Sequence, residues 1–309
     1  MKVVSYLASV PAKNTNKQKT DLLEYFIEGV NKSGDNGILH KGFDQLSCDI
    51  GVIQGWVYEN KSPPHLKLRN NVINTQLQQN KFICTADANL FLYADLKNTK
   101  GYLRYSFNGV FPNTGIYCDN NIDINRWIKI SKDYNITPLP IKNNGNHILI
   151  MLQRQDGWSM QGQEVVQWTL DQIKEIHRHT DRSIIIRPHP GDKKAKDYLY
   201  HNRCPLNNLK NVKISRQGTP LAHDLTNAWA VVNHNSSAIV GPIIQGHHAF
   251  ITDPISSQCA EVSNTNYNLI ESPKEFDRER WLQRISMFHW NFDELRSGEC
   301  WQHMRNYVQ

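Results

Sequence analysis

Apolar positions along the chain switch between two periods. Residues 3–8 form a short apolar run, after which Leu22, Leu23, Phe26, Ile27 and Val30 fall at helical spacing. The order repeats: residues 49–57 carry Ile50, Val52, Ile53 and Val57 as a second strand, 66–79 read as a helix, and 82–85 as a short strand. Pro63-Pro64 punctuate the loop before that helix. Residues 101–145 are rich in Asn, Gly and aromatics and read as irregular, and Asn143-Asn144-Gly145-Asn146 is the predicted linker. Beyond it the pattern restarts, with strands at 147–152, 183–187, 211–214, 230–233 and 249–252 and helices at 165–177, 221–227 and 237–245. Trp281, Ile285, Phe288, Trp290 and Trp301 mark terminal helices with large aromatic anchors. Strands alternating with helices predict an α/β protein with mostly parallel sheets.

Composition narrows this picture. A length of 309 residues suits about two domains, predicted as 1–143 and 144–275 followed by C-terminal helices over 276–309. No short period or biased tract is present, which excludes collagen-like, coiled-coil and low-complexity chains. Eight Trp, twelve Tyr and ten Phe supply bulk for burial, which argues against disorder. The formal net charge of +6 favours an anionic partner, although no basic run reads as a nucleic-acid tail. Six scattered cysteines (Cys48, Cys84, Cys118, Cys204, Cys259 and Cys300) form no Cys-x-x-Cys pair and suit reduced thiols. The opening apolar run ends at Pro11 and Lys13, too short for a membrane span. A soluble cytoplasmic protein, monomeric or weakly dimeric, is expected.

Candidate chemistry gathers where strands end. Ile184-Ile185-Ile186 runs into Arg187-Pro188-His189-Pro190-Gly191-Asp192, and ligands of open α/β sheets sit beyond the carboxyl ends of strands. Arg187 offers a planar fork to phosphate, and His189 a hydrogen bond or a charge. The second such loop is Asn233-His234-Asn235-Ser236-Ser237, followed by Gly241 and Gly246. A helix opening there would present free N–H groups to phosphate, and plain N-capping by Asn235 or Ser236 satisfies the same residues. The loop Gln153-Arg154-Gln155-Asp156-Gly157-Trp158-Ser159 follows the first strand of this half, with Trp158 either stacking on a base or sugar or serving as a core anchor. Asp253 and Glu261 follow the last strand, with ribose or sugar hydroxyls as expected partners and solvated loop polarity as the competing reading.

Taken together, the His-Pro loop, Asn235-Ser236-Ser237 with Gly241 and Gly246, and the tail from Trp290 to Glu299 resemble GT-B glycosyltransferases. The resemblance covers mainly residues 147–309. It is similar to the capsule-polysaccharide and polysialyltransferase-like branch and to phage-encoded DNA-modifying relatives of it. It implies two Rossmann-like domains facing across a cleft, with C-terminal helices returning to the N-terminal domain. It also implies phosphate binding by His189, Ser236 and Ser237, with Arg187 beside them and His189 in the catalytic set. Gln153, Arg154, Trp158, Ser159, His234, Asn235, Asp253 and Glu261 complete the expected donor site. A bound metal is not expected, in keeping with the lack of an Asp-x-Asp pair. One departure stands out: residues 238–248 contain no acid, which leaves the ribose contact common in such enzymes without its carboxylate.

The first half is then expected to bind the acceptor. Asp87 follows a strand and is the first choice for the base that takes the acceptor proton, ahead of Asp49, Asp95 and Asp119; capping of the next turn is the competing reading. Trp56, His65, Arg69, Asn89, Arg104 and Asn108 are the candidate acceptor contacts, and Lys67, Arg69, Arg104 and Arg126 the candidate phosphate contacts. The leading expectation is transfer of a glucose- or arabinose-type sugar from a UDP-sugar to 5-hydroxymethylcytosine in double-stranded phage DNA, with the base flipped out of the stack. The alternatives are a capsule or lipopolysaccharide sugar transferase with a CMP- or UDP-linked donor, and a non-catalytic sugar- or nucleic-acid-binding module.

Overall fold

The first apolar run forms β1 (Lys2–Tyr6), whose alternate side chains serve opposite sheet faces. Val3 joins a core with Leu22, Phe26 and Val30 of α1 (Gln18–Lys32), whereas Val4 and Tyr6 face the other way. A computed structural model describes residues 1–11, 18–57, 63–93 and 101–308. It comprises two units, one of Met1–Ile136 with Leu282–Gln309 and one of Thr137–Trp281.

In the first unit β2 (Asn36–His40) and β3 (Ile50–Gln54) flank β1, both parallel to it. The helix α2 (Pro64–Gln78) begins with Pro at its first position, where a missing N–H costs nothing, and covers Val4 and Ile53 through Leu68, Val72 and Ile73. β4 (Phe82–Asp87) pairs parallel with β3, and β5 (Leu103–Phe107) antiparallel with β4. α3 (Ile124–Tyr134) starts on an Asp123 cap that accepts the Asn125 N–H, and ends on Asn135 in the left-handed region.

The second unit carries β6 (His147–Met151), α4 (Val165–Ile176), β7 (Ser183–Arg187), α5 (Ala195–Tyr198), β8 (Val212–Ile214), α6 (Leu221–Leu225), β9 (Ala228–Asn233), α7 (Val240–Ile244) and β10 (His248–Ile251). All pairings are parallel, in the order β10-β9-β6-β7-β8. β6 and β9 are buried along their whole length, which explains their unbroken apolar runs. After β8 the chain crosses back to the other side of β6, so β6 and β9 border a topological switch point. α8 (Arg278–Ser286) spans the division at Trp281, and β11 (His289–Trp290), α9 (Phe292–Ser297) and α10 (Glu299–Met304) belong to the first unit. There β11 pairs antiparallel with β5 and completes the order β11-β5-β4-β3-β1-β2.

The chain is thus α/β throughout, with two Rossmann-like units and a C-terminal segment that rejoins the first. Three sequence expectations change. Residues 101–145, read as irregular, hold one strand and one helix between loops: Leu103, Tyr105 and Phe107 alternate inward on β5, and Trp127, Ile130 and Tyr134 form the buried face of α3. β2 carries no long apolar run because it is a sheet edge, and the sequence reading passes over it. The division falls at Ile136/Thr137 rather than after residue 143, because the Leu139 N–H bonds Ile244 O and the Lys142 N–H bonds Gly246 O. All six cysteines are buried and free.

Helix α9 lies against α1 at Gly29, where a Cβ would stand 2.0 Å from the Leu295 carbonyl oxygen. Trp301 on α10 is 1% exposed, and its indole N–H donates to Asp35 at 2.8 Å. Gly29→Ala is therefore expected to destabilise the first unit by about 1–3 kcal/mol through overpacking, measured by urea unfolding followed on tryptophan fluorescence.

His289 supplies a second test. Its Nδ1 lies 2.7 Å from Ile285 O and its Nε2 accepts the Leu90 N–H at 3.0 Å, which requires the neutral ring with its proton on Nδ1. Burial lowers its pKa to about 3, against the Ile285 hydrogen bond and with help from the charges of Arg104 and Arg126. The stability resting on the neutral ring is fully present above the ordinary value of 6.5 and is lost as pH falls from there toward about 3. The hydrogen-exchange protection of the Leu90 amide should fall over that window in the wild type and follow a flatter course in His289→Gln.

Candidate active site in the second unit

The strand ends bordering the switch point carry a connected set of polar side chains. Gln153 lies just beyond β6, accepts the Ser159 hydroxyl at 3.1 Å through Oε1, and donates through Nε2 to Asn235 Oδ1. The Asn235 amide donates in turn to Asp253 Oδ2 at 2.9 Å and to Ser159 O at 3.3 Å. Asn235 thus joins the loops that follow β6, β9 and β10. Asp253 also accepts the Ser256 N–H. Burial alone would raise the Asp253 pKa, but hydrogen bonds from Asn235 and Ser256 and the nearby His234 bring it below the usual carboxylate range.

His234 sits behind this set. Thr252 Oγ1 accepts the Trp168 indole N–H at 3.3 Å and lies 2.7 Å from His234 Nδ1, so its hydroxyl proton is free to go to that nitrogen. That places the imidazole proton on Nε2, which is 4.0 Å from Asp253 and has no hydrogen-bond partner. Burial holds the His234 pKa below its ordinary value, against the pull of Asp253.

The His-Pro loop after β7 is tied down by Asp192. Its carboxylate accepts the backbone N–H of Gln155 and of Lys194, each at 2.9 Å, and the Tyr198 hydroxyl at 2.6 Å. His189 Nδ1 accepts the Gly191 N–H at 3.0 Å, which leaves its proton on Nε2. Burial first, and then the charge of Arg154, lower its pKa against the opposing pull of Asp192. Gln153, Arg154, Gly157, Ser159, His189 and Ser236 line a cavity of about 170 Å³. Among the described residues no carboxylate lines it. An acid-free cavity holding a guanidinium and an imidazole N–H at a sheet switch point has the chemistry of an anion site.

The structure gathers only part of the expected donor set. Arg187 is not in the lining; its guanidinium pairs with Asp224 at 2.5 Å, and Asp224 also accepts the Ser215 hydroxyl. Ser236 lines the cavity, and its hydroxyl oxygen caps the following turn by accepting the Ala238 N–H. Ser237 lies one residue further into that turn, outside the lining. His234, Asn235 and Asp253 support the cavity from behind, and Glu261 is in a 3-10 turn at Ala260–Val262. The Trp158 side chain lies outside the described residues. The sequence reading missed Asp192 and Thr252; the Asp192 turn, closed by the Lys194 N–H, was visible as an Asp following Pro190-Gly191.

In the first unit the expected acceptor residues are largely engaged with their own scaffold. Asp87 and Arg104 are cross-strand neighbours on β4 and β5 and form an ion pair at 2.5 Å. Arg69 donates to Ser9 O at 2.8 Å and to Gln54 Oε1 at 3.2 Å. Asn89 donates to the Tyr134 hydroxyl and accepts the Phe91 N–H, and Asn108 accepts the Ile83 N–H. His65, beside Arg69 on α2, has its pKa lowered by burial and by that charge. Trp56 is partly buried just past β3.

No protein-family model matches the chain, and no curated protein matches it. Among solved structures it is similar to the β-Kdo 2,4-transferase of Thermosulfurimonas dismutans KpsC, at 13% identity over 93% of this chain and 90% of that one with a TM-score of 0.47. The β-Kdo 2,7-transferase of the same KpsC matches at 10% identity over 98% and 99%, with a TM-score of 0.48. UDP-GlcNAc 2-epimerase of Methanocaldococcus jannaschii, in complex with UDP-GlcNAc and UDP, matches at 12% identity over 99% and 100%, with a TM-score of 0.33. These likenesses are weak, and the fold assignment rests on the strand orders given above. Among the described residues no helix is long and apolar enough to cross a membrane.

The Asn235 junction can be tested without any ligand. Asn235→Ala leaves the Gln153 amide and the Asp253 carboxylate without a shared partner, and should cost the second unit about 1–3 kcal/mol. Ser237→Ala, outside this hydrogen-bond set, should change urea unfolding by less than about 0.5 kcal/mol.

Proposed function

We propose that the second unit binds the diphosphate of a nucleotide-sugar, UDP-linked in preference to CMP-linked, and that the chain is a glycosyltransferase. The observation that carries this reading is the cavity that pairs Arg154 with the Nε2–H of His189 and has no carboxylate in its lining. In the reaction the acceptor hydroxyl loses its proton, its oxygen bonds the anomeric carbon, and the bond from that carbon to the diphosphate breaks. Negative charge then grows on the leaving diphosphate, where a fixed N–H donor and a guanidinium lower the barrier. The size of about 170 Å³ suits a phosphate group rather than a whole donor. For the base we propose Asp87, whose side chain is 27% exposed beside Arg104.

The acceptor reading shifts. Transfer to 5-hydroxymethylcytosine in DNA draws on four candidate phosphate contacts, and three of them are engaged internally: Arg69 with Ser9 and Gln54, Arg104 with Asp87, and Arg126 with Glu294. Lys67 is exposed. This favours a carbohydrate hydroxyl, as in the capsule-type alternative, over a DNA hydroxyl.

Labelled UDP- and CMP-sugars incubated with neutral glycans and with hydroxymethylated duplex DNA test both levels. Glycan products are expected, and a DNA adduct would restore the DNA reading. His189→Ala should lower transfer by about a hundredfold or more. Asp87→Asn should abolish transfer and leave UDP affinity unchanged. Wild-type turnover in His189→Ala, or no donor cleavage with any acceptor, would overturn the proposal.

A further inference from the structure

The first unit holds a larger cavity, of about 660 Å³, that the donor reading does not use. It shares no residue with the cavity of the second unit. Its floor joins Trp290 of the tail, 4% exposed, to Arg126 of α3, 8% exposed, with the Arg126 guanidinium 3.7 Å from the centre of the Trp290 ring. Met287 adds an apolar surface beside them. Its rim carries four side-chain amides, Asn120 and Asn121 from the loop before α3, and Gln302 and Asn306 from α10 and the turn after it. All four are exposed. The rings of His303 and Tyr307 complete the wall.

Charge decides what such a cavity accepts. Among the described residues Arg126 is the one lysine or arginine in the lining, and Glu294 answers its charge: Nη1 donates to Oε1 at 2.5 Å and Nη2 to Oε2 at 3.4 Å. The second Arg126 contact of Nη2 is the carbonyl of His289. Glu294 is itself fixed by the Asn291 capping box and by Lys129 at 2.6 Å. The lining also includes the carboxylates Asp123 and Glu299. His303 lies 2.7 Å from Cys118 O through Nε2, and burial pushes its pKa down, toward the neutral ring. The lining is therefore neutral to acidic, so a phosphate or a nucleic-acid backbone would meet carboxylates and an already paired guanidinium.

Amides donate and accept with equal ease, and the half-buried rings of His303 and Tyr307 offer flat faces beside them. Hydroxyl groups on a ring with exposed C–H faces match that combination. The volume lies in the range of sites that enclose a small ligand. We propose that this cavity is a binding site for a neutral saccharide, formed by the loop before α3 and the C-terminal tail. The proposal goes beyond the donor reading and does not rest on it.

The test uses the full chain and isothermal titration with maltotriose, cellotriose and chitotriose as neutral probes. A heparin tetrasaccharide and a short DNA duplex serve as anionic probes, and UDP is titrated separately as a reporter of the second unit. At least one neutral trisaccharide is expected to bind with a Kd that does not change between low and high salt, because no charge is neutralised. Asn121→Ala and Gln302→Ala, exposed positions that leave the core untouched, should each weaken that binding by about fivefold and leave UDP affinity as in the wild type. Binding confined to the anionic probes, or no binding of any neutral trisaccharide at millimolar concentration, would overturn the proposal. So would neutral binding that both variants leave unchanged. Absence of UDP binding alone would count against the donor reading and leave this one standing.

Discussion

A central parallel strand has both faces and both edges covered, so side-chain chemistry can collect only past its ends. β6 and β9 meet that condition along their whole length. Polar groups therefore concentrate in the loops after them, and the strand-order switch between them opens room for a cavity. Asn235 then holds the loops together, because one amide with two donors and an acceptor satisfies Gln153, Ser159 and Asp253 at once. The same constraint operates in the first unit, where Gln54 and Asp87 at the last positions of β3 and β4, and Ser9 beyond β1, engage Arg69 and Arg104.

Charge is the second organising element, and at several buried or half-buried positions it is spent internally. Arg187 with Asp224, Arg104 with Asp87, and Arg126 with Glu294 are pairs in which a half-buried or buried guanidinium finds a carboxylate. Removing one partner from such a pair leaves an uncompensated charge, so each of these guanidiniums is held first by the fold. The formal charge of +6 consequently overstates what the surface of either cavity presents to an anion. Arg154, exposed beside His189, is the cation that the second cavity does offer.

Much of the architecture was legible from periodicity. The apolar runs of β6, β7 and β9 and the stripe of α1 are local signals, and the α/β class follows from their alternation. Local signals failed where an element is short or at an edge. β2 presents few apolar side chains because one of its sides is unpaired, and β11 is two residues long. β5 was readable through Leu103, Tyr105 and Phe107, but Arg104 and Ser106 between them gave the segment the look of a polar loop. For the candidate site, strand-to-loop transitions pointed to His189 and Ser236, which line the cavity, and equally to Arg187, which is paired with Asp224.

The amino-acid sequence by itself determined the alternation of strands and helices and its longer buried members, and that polar residues such as His189, Asn235 and Ser236 stand at strand ends, because those properties depend on neighbours a few residues away. Only the tertiary structure decided which of those residues share a cavity and which are consumed in pairing. Asp224 lies 37 positions from Arg187, and Glu294 lies 168 from Arg126. Contacts at such separations are set by strand order and register, and no local pattern encodes those. The tail shows this most clearly: its aromatic residues announced helices, but their place beside α1 and α3, and the cavity they enclose there, came from the return of the chain to the first unit.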